Sequence, residues 1–463
     1  MGVERGGAGE ERVRGHTVPV RETRSFVGRT RFTRSMDAPG EAMTSTVSAR
    51  RTVLVVAHTL VYAQRVRQAV GLVESDPRVH VTYAVAPHPF GRGVRRWLKE
   101  DQGVDVIAWE EARQSPFDLA LLAGSRGMHE LKAPVLRMQH GGGNIKALRP
   151  SAGSTANEIE APSTLTRRYL THDGQLVPSI LALAHRDDLE LLARSCPEAL
   201  DVARVVGDPA YDRVRAALPH RERYRTALGL RSWERLLLVS STWGGASSFG
   251  WCHTLLPKLH RELPAHTRIV LLLHPNIHAA YGGPRKLRRW LGDALGERVA
   301  LAPPETAWEG LLVAADWVIG DHGSVTSYAA LTRRPVLLGR FTGGGVVTGS
   351  TAATLRRAAP ALSEARPLTE QLGHARDAYD ADAHLRVARQ LTSEPGRFHT
   401  LMRGVIYERL GLDEPPFATA MFPAPAPAPL ATWAGSGRAA SVRGARGGRD
   451  TLPTGRLSSG TAR

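Results

Sequence analysis

The sequence predicts an α/β protein: two consecutive Rossmann-like domains with parallel sheets, facing one another and flanked by disordered tails. Three observations carry this expectation. Short aliphatic runs alternate with longer segments of helical period, the pattern of parallel strands joined by crossover helices. The alternation occurs twice, in blocks of similar size on either side of the polar segment Asp212–Glu234. Both chain ends lack apolar periodicity and are rich in small, polar and arginine residues.

Taken in order, residues 1–50 read as a disordered arm, with Met36 and Met43 leaving the true start open. In the first domain, 51–212, the strand candidates are Val53–Ala57, Val79–Ala86, Val104–Ala108, Asp118–Ala123, Val135–Gln139, Leu176–Ala184 and Val202–Val206. A helix is expected over Leu60–Val73, where Val61, Val66, Ala69, Val70 and Val73 fall largely on one face. Ser151–His172 is less regular. In the second domain, 213–400, the strands are Leu236–Ser240, Arg268–Leu273, Val299–Ala302, Trp317–Gly320 and Pro335–Gly339, with helices at Glu305–Ala314 and Ser324–Thr332. Residues 401–422 are expected to form a C-terminal helix and boundary. Residues 423–463 open with an Ala-Pro alternation and read as a disordered tail.

Composition narrows the function. Of 463 residues, 42% are hydrophobic and 23% charged, ordinary for a globular chain. No run of eighteen apolar residues exists and the N-terminus lacks an apolar secretory segment, which argues against a membrane span and export. Cys196 and Cys252 make neither a C-x-x-C pair nor a zinc framework, which fits a reducing compartment. The formal charge is +17, but only five of 61 basic residues are lysine, a skew that a coding bias can produce without functional pressure. The charge points to an anionic partner: a phosphorylated substrate, an anionic membrane surface or a nucleic acid. No recognisable DNA- or RNA-binding motif supports the last, so no nucleic acid is expected.

In open parallel sheets ligands bind beyond the carboxyl ends of the strands, so the loops there are the candidates for chemistry. The first is Gln139-His140-Gly141-Gly142-Gly143-Asn144-Ile145-Lys146. Its glycines let backbone N–H groups approach an anion, His140 suits proton transfer near neutrality, and Lys146 supplies a point charge. The second is the turn Asp321-His322-Gly323-Ser324-Val325-Thr326, where the positive end of a helix and the hydroxyls of Ser324 and Thr326 suit a phosphate. Helix capping by Asp321 or Ser324 is the simpler alternative. Ser240–Gly245, with Thr242, and His274-Pro275 follow two further strands of the same half, and Gly207–Asp212 closes the first half as a turn. Walker A, H-E-x-x-H and G-x-S-x-G patterns are absent, and the one Asp-x-Asp, Asp380-Ala-Asp382, lies far from a strand end.

In this order the loops resemble the CDP-glycerol glycerophosphotransferase family, GT-B-fold enzymes that polymerise teichoic-acid backbones. That family carries His-Gly-Thr-Pro-x-Lys, Gly-x-Pro-x-x-Asp, Ala-Pro-Thr-Trp, His-Pro and Asp-Tyr-Ser-Ser motifs. Their counterparts here are His140 to Lys146, Gly207 to Asp212, Ser241-Thr242-Trp243, His274-Pro275 and Asp321 to Ser324. The resemblance implies a GT-B-like fold and His140 as the general base that takes a proton from an acceptor hydroxyl, with Lys146 beside it. It implies that Thr242, His274, Ser324 and the N–H groups near Gly323 hold a donor diphosphate, joined by Asp321 and Thr326. No metal or other cofactor is implied.

Three departures keep a second reading open. The His140 loop is one residue longer than the family motif, Gly323 stands where the first serine would be, and Tyr328 occupies a position where an acid is expected. The first expectation is a transferase moving a glycerol-phosphate or related polyol-phosphate group from a CDP-activated donor to a polymer or lipid-linked hydroxyl acceptor in cell-envelope synthesis. It would be cytoplasmic, or peripheral at the inner membrane face. The alternatives are a UDP-sugar-dependent GT-B glycosyltransferase or sugar-nucleotide epimerase and, third, a non-enzymatic polyanion-binding protein.

Overall fold

The computed structural model describes residues 51–147, 161–296, 298–341, 345–417 and 422–433. Strands, numbered in chain order, are β1 Arg51–Ala57, β2 Val79–Val85, β3 Val106–Ile107, β4 Leu119–Leu122, β5 Val135–Met138, β6 Thr171–His172, β7 Gln175–Leu176, β8 Ile180–Leu183, β9 Ala203–Val205, β10 Arg235–Ser241, β11 Thr267–Leu273, β12 Val299–Leu301, β13 Trp317–Gly320 and β14 Val336–Leu338. They form a seven-stranded sheet of order β3-β2-β1-β4-β5-β8-β9 and a five-stranded sheet of order β12-β11-β10-β13-β14; β6 and β7 make a separate antiparallel pair. Every pairing within the two large sheets is parallel. The chain is thus the α/β pair of Rossmann-like domains that the alternation predicts, in keeping with the GT-B-like fold that the resemblance implies.

Period-two side-chain alternation explains why both faces of each sheet are covered. Along β1, Val53, Val55 and Ala57 enter one apolar cluster and Leu54 and Val56 another, on the opposite face. Along β10, Leu236 and Leu238 face one cluster while Leu237 and Val239 face the other. Helix Leu60–Val70 packs on the first sheet through Ala63, Val66, Ala69 and Val70.

Three elements lie elsewhere than the sequence places them. The polar segment Asp212–Glu234 is helical over most of its length. Asp208 caps helix Pro209–Ala217 by accepting from Tyr211 N at 2.8 Å, with Pro209 in its first turn, so position 212 falls inside a helix whose Ala210, Val214 and Ala217 join the second domain's core. The helix expected over 401–422 spans Phe398–Leu410, and its stripe Phe398, Met402, Ile406 and Leu410 packs into the first domain. The Asp212 carboxylate fixes its start by accepting from Gly396 N at 2.5 Å and Phe398 N at 3.0 Å. Residues 422–433, read as the beginning of a disordered tail, run along the second domain. Tyr224 Oη donates to Ala424 O at 2.8 Å, Leu430 N to Leu228 O at 3.1 Å, and Trp433 is buried in the core. The arm 1–50 and residues 434–463 lie outside the described residues. Cys196 and Cys252 are both free thiols, buried in different clusters.

The two domains meet across a buried polar triad. Arg65 of helix Leu60–Val70 places Nη2 2.9 Å from Asp208 Oδ2, and Tyr328 Oη of the second domain donates to the same oxygen at 2.8 Å. All three side chains are buried. Removing one partner strands a charge in a low dielectric, so Asp208→Ala is expected to cost about 3–5 kcal/mol in denaturant unfolding of the full chain. Tyr328→Phe, which removes one bond to a charged acceptor, is expected to cost about 1.5–3 kcal/mol.

Candidate functional site

The strand order of the first sheet reverses at β1 and that of the second at β10, which places both switch-point crevices at the carboxyl ends of these strands. Six histidines of the described residues stand within three residues of such ends: His58 after β1, His88 after β2, His140 after β5, His185 after β8, His274 after β11 and His322 after β13.

The His140 loop is shaped from below. Gly141, Gly143 and Asn144 have φ of 72°, 82° and 47°, so the chain coils tightly after β5. The buried Asp188 holds that coil. Its carboxylate accepts from Asn144 Nδ2, from Gln139 Nε2 at 3.4 Å and from His185 N at 3.2 Å, and burial pushes its pKa up to about 7. The His140 ring lies 4.3 Å from that of Tyr62.

Opposite this loop the second domain presents its own strand ends. Asp321, 1% exposed, accepts from Ser241 Oγ at 2.9 Å, Thr242 N at 3.1 Å, Ser248 N at 2.9 Å and Gly323 N at 3.0 Å. One carboxylate therefore ties the loop after β10 to the turn after β13, and it does not face the cleft. Thr242 packs over Gly323, where a Cβ would meet its own at 3.2 Å. His274 caps helix Pro275–Ala280, its Nδ1 accepting from Asn276 N at 3.1 Å. Thr326 is fully buried over Gly320 and likewise does not reach the cleft.

The two sides touch. A Cβ on Gly141 would meet Ser324 Oγ at 3.2 Å, one on Gly142 would meet Tyr328 Oη at 2.5 Å, and one on Gly143 would collide with Thr351. Ala147 N donates to Gly345 O at 3.0 Å and Val347 N to Ile145 O at 2.8 Å, so the end of the loop pairs with the second domain. Lys146 Nζ sits 4.3 Å over the Trp243 ring, and Trp243 lies 5.5 Å from Phe90 of the first domain. His140, Lys146, Thr242, His274, Gly323 and Ser324 are thereby brought together. Asp321 and Thr326 stand behind them as structural supports.

Burial and neighbouring cations set the electrostatics here. Burial, then the charges of Arg137, Lys146 and Arg65, push His140 down to about 3. Burial, then Lys146 and His140, push His274 down to about 3. His322 is lowered by burial, and Lys146 adds to this against the opposing pull of Asp321. These groups repel one another's protons because they crowd one space. Several buried polar atoms at the same strand ends have no partner: His140 Nδ1, His322 Nδ1, His58 Nδ1, Ser248 Oγ and Asn276 Oδ1.

The sequence reading passed over His58, Tyr62, His88, Phe90, His278 and Arg137. The missed signal was positional: His58 and His88 each follow an aliphatic run as His140 does, but without a neighbouring glycine cluster. Tyr62 looked like one more core residue of its helix, and only folding sets its ring against His140.

A Cβ at position 142 must push Tyr328 or Leu391 aside. Gly142→Ala is therefore expected to cost about 1–3 kcal/mol and to enlarge the radius of gyration seen by small-angle scattering as the domains part. The pH response follows from the histidines. His58, His88 and His278 are lowered to about 4 and His140 and His274 to about 3, from 6.5. They are neutral when folded, so the stability they confer is complete above pH 6.5 and is lost as pH falls toward 3. Asp188 has the opposite sign, its contribution being greatest below pH 4 and lost as pH rises through 7. With His322 and His384 also lowered and Asp212 also raised, seven histidines outweigh two carboxylates: the thermal midpoint is expected to fall on acidification from pH 6.5 to 4, and less steeply in His278→Leu.

No protein-family model matches the chain, and no curated protein matches it at a significant level. Among solved structures it is similar to the wall teichoic acid polymerase TagF, with a TM-score of 0.51 at 14% identity over 79% of this chain and 90% of that one. A variant of that polymerase soaked with CDPG gives a TM-score of 0.52 at the same identity and coverage. A putative UDP-N-acetylglucosamine 2-epimerase from Listeria monocytogenes gives 0.48 at 15% identity over 81% of this chain and all of that one. At these identities what is shared is the fold: two Rossmann-like domains in the GT-B arrangement.

Proposed function

We propose that the chain is a nucleotide-donor-dependent transferase that moves a glycerol-phosphate or related polyol-phosphate group from a CDP-activated donor to an acceptor hydroxyl. The observation that carries this reading is the meeting of the His140 loop with Ser324 and Tyr328 across the cleft, with His274, His322 and Lys146 around the same space. A neutral imidazole from the first domain then faces His274, Ser324 and the Gly323 turn of the second, with the charge of Lys146 from its own loop beside them. The TagF likeness supports the fold in which such a reaction runs.

The cradle holds the donor's diphosphate. The acceptor oxygen attacks the phosphorus that bears the polyol, the bond from that phosphorus to the bridging oxygen breaks, and the nucleoside monophosphate departs with the electron pair. His140 takes the acceptor's proton, and its depressed pKa keeps the ring neutral and able to accept it. A bound diphosphate offsets the cations around His140 and raises its basicity when the donor is in place. His274, Lys146 and the Gly323 turn stabilise the charge on the departing group.

Tyr328 favours keeping the UDP-sugar alternative in the test. Its hydroxyl is directed to Asp208 and not toward a ligand, so the hydroxyl-holding role of an acid at this position is not reproduced. Calorimetric titration should show CDP-glycerol or CDP binding more tightly than UDP or UDP-sugars, with His274→Ala weakening binding at least tenfold. Tighter UDP binding would transfer the assignment to a glycosyltransferase or epimerase, and no nucleotide binding would sink it. With a competent acceptor, His140→Ala is expected to lower kcat by about 10²–10⁴ while nucleotide affinity stays unchanged.

A further inference from the structure

Arg137 lies on β5, three residues before His140, and is 1% exposed. Its Nε donates to Ser125 Oγ at 2.8 Å, its Nη1 is buried with no partner, and among the described residues no carboxylate pairs with it. The other deeply buried arginines each face an acid: Arg65 meets Asp208, Arg225 meets Asp316 and Arg403 meets Glu414. Arg137 is therefore an uncompensated buried cation, which a fold retains only at a cost. Burial lowers its pKa to about 10, so it remains charged at neutral pH.

Ser125, Tyr62 and His140 are all partly exposed, and Tyr169, which interacts with Arg137 electrostatically, is 36% exposed. The guanidinium charge is the strongest influence on His140 after burial, while His274 and His322 respond to Lys146 and not to Arg137. Two positive centres thus flank His140, one toward the second domain and one within the first. The planar guanidinium fork matches the oxygens of an oxyanion.

We propose that Arg137, oriented by Ser125, forms an oxyanion subsite beside His140 in the first domain, separate from the cradle of the second, which holds a phosphate group carried by the acceptor. The word acceptor rests on the transferase reading; the subsite itself does not. Arg137 is then a positioning and specificity residue, selecting an acceptor whose hydroxyl stands close to an anionic group and presenting that hydroxyl to His140.

The test is thermal unfolding of the full chain with saturating CDP to fill the cradle, titrated with inorganic phosphate or with glycerol 1-phosphate as the ester-borne form. Both are expected to raise the midpoint of the wild-type chain. Arg137→Met should lower apparent affinity for both at least tenfold, leave CDP affinity within twofold, and melt no lower than wild type in phosphate-free buffer. A purely structural arginine would do the reverse, with Arg137→Met melting lower and responding to phosphate as before. A wild-type chain that binds CDP and shows no phosphate response also overturns the proposal, with the transferase reading intact. If neither CDP nor UDP binds, the transferase reading falls, and the phosphate titration of wild type against Arg137→Met still decides the subsite. Should Arg137→Met fail to fold, Arg137→Lys keeps the charge and loses the fork. A phosphate affinity reduced at least threefold then supports the subsite, and an unchanged one rules it out.

Discussion

The absence of three β-carbons governs the architecture of the site. Where the chain leaves β5, Gly141, Gly142 and Gly143 lie against Ser324, Tyr328 and Thr351 so closely that side chains there would hold the domains apart. Because the contact is backbone on side chain, the loop that carries His140 seats itself on the helix that carries Ser324. The Arg65–Asp208–Tyr328 triad maintains that approach from beneath. The His140 loop and the Gly323–Ser324 turn are thus held together by packing, one from each domain.

A second constraint works through charge. Asp321 binds four donors of its own domain, and Asp188 is engaged by the loop of the other. Both carboxylates are occupied in shaping these loops, and the groups gathered beside them are the imidazoles of His140, His274 and His322 and the Lys146 ammonium. Burial holds these imidazoles below their ordinary value, and the charges of Arg137 and Lys146 at His140, and of Lys146 at His274 and His322, add to it. The family-like turn Asp321–Ser324 therefore acts in two layers, an interior acid that sets the geometry and an outer edge that can meet a ligand.

The legibility of this protein in its sequence follows contact range. Strands such as Val53–Ala57 and Trp317–Gly320 were readable because aliphatic runs between helical segments have few other stable fates. Helix Phe398–Leu410 was harder to assign. Its apolar stripe says that it is covered, but not that the cover is a sheet more than 300 residues earlier in the chain. The Ala-Pro segment misled for a similar reason: its composition matches a linker, and Tyr224, Leu228 and the Trp433 pocket supply the partners that order it.

By itself the sequence determined the α/β alternation, the two-domain order and the strand-end loops holding His140, Lys146, Thr242, His274 and Ser324, because these depend on local periodicity and on residue chemistry at known offsets. Only the tertiary structure decided which residues face the cleft. It turned Asp321 and Thr326 inward, set Tyr62 against His140, and left Arg137 without an acid. Those outcomes depend on which distant groups arrive beside each side chain, and no local pattern encodes that.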